Sequence, residues 1–198
     1  FRSSDHDPEI VGLDTPSTKQ AATVSVTAAP KPIRVKTGRT RVTVTVAGKD
    51  GTTPTGTATI TSGGKTLGTI DLVDGTGSML VGPFDTVGDR TLTVTYGGDA
   101  RTESATGSAK ITVQRAKVNL AVSHSPSKPR VKKDSVTITA RASAWGFTPR
   151  GKVEVVRGGK VVGTGWLVDG AAKIRISPFT ATGTQRVTVR YLGGTICY

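Results

Sequence analysis

Few residues in this chain have the types and spacing to do chemistry. Near its start stands Ser4-Asp5-His6-Asp7-Pro8. A carboxylate beside an imidazole joins a ligand for a divalent cation to a group that titrates near neutrality, and Pro8 sets the turn presenting them. That pairing suits metal-assisted hydrolysis, where a cation offsets developing charge and a base takes water's proton. The plainer alternative is a surface Asp-His-Asp turn ahead of a short apolar strand, Ile10 to Leu13. The other histidine, His124, follows a strand between Ser123 and Ser125. No acid forms a motif with it, so it reads as a partly exposed loop histidine rather than half of a nucleophilic pair. Asp50-Gly51, Asp74-Gly75 and Asp169-Gly170 each offer one carboxylate, which fits hairpin turns better than calcium loops built from several oxygens. Trp145 and Phe147 share one turn before Pro149, where they either form a stacking platform for sugars or bases or cap the end of a sandwich. Cys197 is the single cysteine, which excludes an intrachain disulfide and a cysteine-built zinc site. One residue from the end, it reads as incidental.

The basic runs are the other candidate. Lys31, Arg34, Lys36, Arg39 and Arg41 cluster around the connection from the first strand to the second. Lys128, Arg130, Lys132 and Lys133 occupy the same place in a second copy of the pattern. Few aromatics interleave with them, so contact with a nucleic acid would be to phosphates rather than to stacked bases. Net charge is +13 and uneven: residues 1–20 carry 2 basic and 4 acidic groups (−2), 21–115 carry 11 and 7 (+4), and 116–198 carry 14 and 3 (+11). Such a surface attracts DNA, an anionic cell-wall polymer or acidic headgroups, or it is simply a solvated face.

What must position these residues is a pattern written twice. With a shift of 95 residues, Pro54, Gly56, Gly63-Gly64-Lys65, Gly68 and Leu72-Val73-Asp74-Gly75 return as Pro149, Gly151, Gly158-Gly159-Lys160, Gly163 and Leu167-Val168-Asp169-Gly170. Pro83-Phe84, Gly88 and Tyr96 return as Pro178-Phe179, Gly183 and Tyr191. A fixed-period repeat of turn and core residues means two copies of one small domain. In the first, Val42, Val44 and Val46 alternate with Arg and Thr, and Ala58 with Ile60, Leu92 with Val94 and Tyr96, and Ile111 with Val113 continue an inward set. About seven short strands with turn signals every ten residues or so predict an antiparallel β-sandwich. The second copy repeats the plan from Val118 through Val187, Val189 and Tyr191, but nothing matches the closing Ile111–Val113 strand. The expectation is an all-β chain of two tandem sandwiches, the second lacking its last strand, with residues 1–14 and a linker at 15–22 ahead of domains at 23–115 and 116–198. A missing strand exposes unpaired backbone and an apolar groove, which either a continuation of the chain or edge addition by another chain would cover; continuation is the expectation, since no donor segment is visible. No apolar run reaches membrane-spanning length.

Two resemblances follow from these residues. Pro-Thr-Gly-Thr-Ala-Thr-Ile (54–60), Gly-Gly-Lys (63–65), Asp-Gly (74–75) and Thr-Val-Thr-Tyr-Gly-Gly-Asp (93–99) resemble the bacterial Ig-like repeat domains, tandem tails of secreted and surface proteins. The resemblance covers residues 21–198 and speaks for fold rather than function. The second copy departs from it after Tyr191, where Leu-Gly-Gly-Thr-Ile-Cys-Tyr suggests an interrupted end. The opening Ser4-Asp5-His6-Asp7-Pro8 with Ile10-Val11-Gly12-Leu13 resembles the last strand of the endonuclease/exonuclease/phosphatase superfamily, the deoxyribonuclease-I-like metal-dependent phosphodiesterases. That resemblance implies that His6 acts at the scissile phosphate and that Asp5 lies near a divalent metal, magnesium or calcium, in a complete parent nuclease. Without the parent's other ligands the two residues are expected to be inert, and the tandem domains to need no cofactor. The combined expectation is a monomeric, non-catalytic spacer or adhesion tail of a secreted or cell-surface protein, with binding to DNA or a wall polymer as the alternative.

Overall fold

The computed structural model describes residues 18–198. Alternating Val and Thr make strands with one apolar face, and the turn residues between them fold each strand back on its neighbour. The first module contains β1 (Ala22–Ala29), β2 (Ile33–Arg34), β3 (Thr40–Gly48), β4 (Thr57–Ser62), β5 (Lys65–Asp71), β6 (Thr76–Val81), β7 (Gly88–Tyr96) and β8 (Ala105–Gln114). These form two sheets, β1-β3-β6 and β2-β8-β7-β4-β5. All neighbours pair antiparallel except β2 with β8, where Ile33 lies parallel to Val113. The second module contains β9 (Asn119–Ser125), β10 (Val136–Ser143), β11 (Lys152–Arg157), β12 (Lys160–Trp166), β13 (Ala171–Ile176) and β14 (Thr188–Tyr191). Its sheets are β13-β10-β9 and β12-β11-β14. The chain is thus two tandem Ig-like antiparallel sandwiches, and the second has no strand in the place of β8.

The turns follow from backbone chemistry. Asp74 and Gly75 both take positive φ (50° and 72°), as do Asp169 and Gly170 (48° and 74°), a tight two-residue turn closed by the Val73–Thr76 and Val168–Ala171 bridges. The expected hairpins are not formed at the Asp-Gly pairs: these turns, and Asp50-Gly51, carry the chain from one sheet to the other. The Asp50 carboxylate accepts from the Thr52 amide at 3.0 Å and closes its own turn.

The core of the first module lies between its sheets, where Val42, Val44, Ala58, Ile60, Leu92, Val94 and Tyr96 are fully buried. Each buried Val or Leu contributes roughly 1.5–3 kcal/mol by leaving water, so valine packing sustains the fold without a disulfide. Tyr96 closes this core from one end: its hydroxyl donates to Thr55 O at 2.9 Å. The second module repeats the device, with Tyr191 donating to Arg150 O at 2.8 Å.

Two local expectations need correction. Residues 33–34 form a strand, an eighth in the first module, because β8 lies alongside to receive it. Val187 lies outside β14, although its alternation with Val189 and Tyr191 predicts a strand. After Tyr191, where the residues depart from the first copy, the turn is built as in the first module. Gly194 N donates to Cys197 O at 3.0 Å, as Asp99 N donates to Thr102 O at 3.0 Å in the first module. Gly193 and Gly98 (φ 81° and 83°) turn both chains alike, so the different side chains leave the backbone unchanged.

Candidate functional site: basic connections and an open sheet edge

The two basic connections are built alike. Lys36 and Lys132 both adopt left-handed backbone (φ 66° and 58°), and both amides donate at 2.8 Å, to Phe84 O and Phe179 O. Their charges are not all free. Lys36 Nζ lies 2.6 Å from the Asp85 carboxylate, whose pKa is lowered by that hydrogen bond and charge. Arg130 donates to Asp134 from Nε at 3.0 Å, and the guanidinium lowers the Asp134 pKa. Arg34 donates to Arg115 O at 2.7 Å and to the Tyr198 hydroxyl at 3.3 Å, and Arg41 to the Ser78 hydroxyl at 3.1 Å. Lys31, Arg39, Lys128, Lys132 and Lys133 are exposed and make no ion pair among the described residues. The connections therefore present fewer free cations than nine basic residues suggest, which sequence cannot show because Asp85 is far along the chain.

The remaining candidates scatter. Asp5 and His6 lie outside the described residues. Among the described residues no three His, Cys, Asp or Glu side chains gather as metal ligands do. His124 belongs to β9, paired with Ile138, rather than to a loop, because the strand runs on to Ser125. Its ring Nδ1 is 3.2 Å from Pro126 O. Trp145 is 87% exposed, while Phe147 packs against the hydrophobic cluster of the first module. The two aromatics of that turn therefore face different surroundings and do not form one platform.

Cys197 is not incidental. It is buried, its thiol 2.9 Å from the Tyr191 hydroxyl, and it holds the place that buried Thr102 holds beside Tyr96. Burial and the hydrogen-bonded thiol push the Tyr191 phenol up. In the first module burial and the neighbouring Asp99 carboxylate push Tyr96 up to about 12. Asp99 accepts from the amides of Thr55, Arg101 and Thr102 at 2.9, 2.8 and 2.7 Å, and these hold its carboxyl well below the usual range.

The apolar groove expected beside the missing strand is present in the second module, with a volume of about 660 Å³. Its walls include His124, Val131, Val136, Ile138, Phe179 and Val187. It opens where the sandwich lacks its last strand, and Lys128 and Arg130 stand at it.

No protein-family model matches the chain, and no curated relative matches it. Among solved structures, the chain is similar to the fibronectin(III)-like modules of CbhA from Clostridium thermocellum (16% identity, 88% of each chain covered, TM-score 0.36). It is also similar to a chimeric titin Z1Z2 tandem (18%, 86% of this chain and 93% of that one, TM-score 0.29). A third is a Ca2+-stabilized adhesin with which an Antarctic bacterium binds ice (16%, 93% and 50%, TM-score 0.30). The fold is read here from the strand order of the chain itself, and these likenesses add nothing to the site.

Proposed function

We propose that the chain is a non-catalytic pair of Ig-like modules, a stiff spacer and adhesion tail of a secreted multidomain protein. The opening Ser4–Leu13 segment supports the further reading that the parent is an extracellular metal-dependent nuclease. The observation that carries the spacer role is the junction between the modules. The hydrophobic cluster of the first continues through Ala116 to Cys197, with Phe147, Tyr191 and Ile196 packed on it. The start of the second module is tied to its own end by Ala116 N to Ile196 O (2.9 Å) and Val118 N to Tyr198 O (3.0 Å), and Arg34 of the first module donates across the junction to the Tyr198 hydroxyl at 3.3 Å. Gly146 comes so near the first module that a Cβ there would lie 2.6 Å from Thr37 Cγ2. Independent motion is the default for linked domains unless an apolar interface holds them, and here one does. Spin labels at Lys65 and Lys160, the two exposed hairpin tips, are expected to give one narrow distance distribution. A broad or multiple distribution would overturn the stiff-spacer reading.

The five exposed lysines and arginines without ion pairs favour a second reading, attachment to DNA or an anionic wall polymer. It predicts retention on heparin that falls steeply with salt, because binding through phosphates or sulfates releases counterions. Removing Lys128, Lys132 and Lys133 together should flatten that slope. Retention unchanged by either removes the reading.

A further inference from the structure

We propose that the first module binds a sugar-borne oxyanion, the carboxylate or sulfate of an acidic polysaccharide, in a recess between β5 and β6. These strands end their respective sheets, and beside them lies a cavity of about 380 Å³. Its walls belong to the module that has its closing strand. Asp85, the one acid on those walls, is taken by Lys36 at 2.6 Å. Lys65 and Arg90, also on the walls, make no ion pair among the described residues. The Asp85 carboxyl is lowered first by Lys36 and further by the charges of Lys65 and Arg90, so the two unpaired cations stand near the same place.

Arg90 is held ready. Its guanidinium carbon lies 4.8 Å from the centre of the Phe84 ring, and Nη2 donates to Thr86 O at 3.3 Å and to the Thr86 hydroxyl. Nε is buried without a partner, and Nη1 bonds to none of the described residues. A guanidinium already fixed by stacking loses little freedom on binding, and its planar fork matches an oxyanion. The second module reaches the same arrangement by another route. With the 95-residue shift, Arg90 becomes Gln185 and Ser62 becomes Arg157. Arg157 lies 5.3 Å over the ring of Phe179, the counterpart of Phe84, and Lys160 repeats Lys65. What returns is a cation over the aromatic with a lysine at the adjoining hairpin, not the strand that carries the charge.

The lining selects a sugar as the bearer of that anion. Leu67, Leu80 and Phe84 supply apolar surface, and Ser62, Thr66 and Thr86 supply hydroxyls. A pyranose ring has the same two characters, an apolar C–H face and a polar rim, and small pockets fix their ligands through such mixed walls. The one aromatic ring, Phe84, is covered by Arg90, which leaves no face for a nucleic-acid base to stack on. The site deepens the adhesion role and rests on it, and it uses none of the five exposed, unpaired cations of the basic connections.

The test follows backbone amide shifts of the full 198-residue chain. The probes are tetragalacturonate, a heparin-derived tetrasaccharide, neutral maltotetraose, and an oligothymidylate matched in charge to the first. Saturable shifts at Lys65, Thr86 and Arg90 are expected with the acidic sugars and not with the neutral one, and the tighter acidic sugar tells carboxylate from sulfate. Lys65→Gln, at an exposed hairpin tip, should weaken this local affinity several-fold, and Arg90→Gln by about tenfold or more. Adding Ser62→Arg to Arg90→Gln builds the second module's arrangement and should restore most of the affinity, which a collapsed pocket would not allow. Absence of shifts at these amides with either acidic sugar overturns the proposal. So does equal affinity for the oligothymidylate there, which would be polyanion attraction alone. Acidic sugar that binds with shifts elsewhere, indifferent to both variants, removes the site and leaves adhesion standing.

Discussion

Thr40 opens β3 opposite Val81, and it is completely buried while its hydroxyl finds no hydrogen-bond partner. The second module answers the same position differently: Val136, opposite Ile176, is 2% exposed and has no polar atom to satisfy. Thr and Val have nearly the same shape, so Thr40→Val removes an unsatisfied polar group with little change in packing. A buried hydroxyl without a partner costs about 1–3 kcal/mol, and some of that returns as better apolar burial. The expected gain is about 1–2 kcal/mol, which for a domain of this size raises the melting temperature by roughly 5–10 °C. Both tryptophans lie in the second module and are largely exposed, so fluorescence is a poor probe. Amide exchange read separately on β3 and β10 resolves the two modules. Protection should rise along β3 in Thr40→Val and fall along β10 in the reverse change, Val136→Thr. A neutral or destabilised Thr40→Val would refute the reasoning, because the hydroxyl would then be satisfied in solution.

Three further outcomes follow from the closing ends of the modules. Asp99 is held below its ordinary pKa by three backbone amides, so the stability it supplies is complete above the unfolded carboxyl pKa near 4 and drains as pH falls through that range. Gly194 stands at its counterpart, so an acid melt followed by amide exchange should open the first module through this route, and Asp99→Ala should abolish that part of the pH dependence. Tyr96 is raised to about 12, so stability is complete below about pH 10 and is lost as pH rises from 10 towards 12. Tyr96→Phe should remove this alkaline sensitivity and cost about 1–2 kcal/mol in urea melts, since Thr55 O loses its donor. Cys197 should react with a thiol reagent only after denaturation; rapid reaction of the native chain would contradict its burial beside Tyr191.

Much of this architecture is carried by short-range signals. Asp74-Gly75 and Asp169-Gly170 mark their turns because few residues tolerate two successive positive φ angles, and that is a property of the residues themselves. Alternating valines mark β3 because the strand period is two. The basic connections recur in sequence and in space for the same local reason. The candidate site was far less legible. Whether a lysine is free depends on a carboxylate 49 positions away, as with Lys36 and Asp85.

By itself, then, the order of residues determined that two like units of short strands would form, where their turns would fall, and that one would lack a closing strand. Tertiary structure alone decided that residues 33–34 become a strand, that Val187 does not, and that Cys197 is buried beside Tyr191. The physical reason is common to all three. A turn is settled by the conformational preferences of two or three adjacent residues, whereas a strand edge or a buried thiol is settled by whichever distant segment lies across from it.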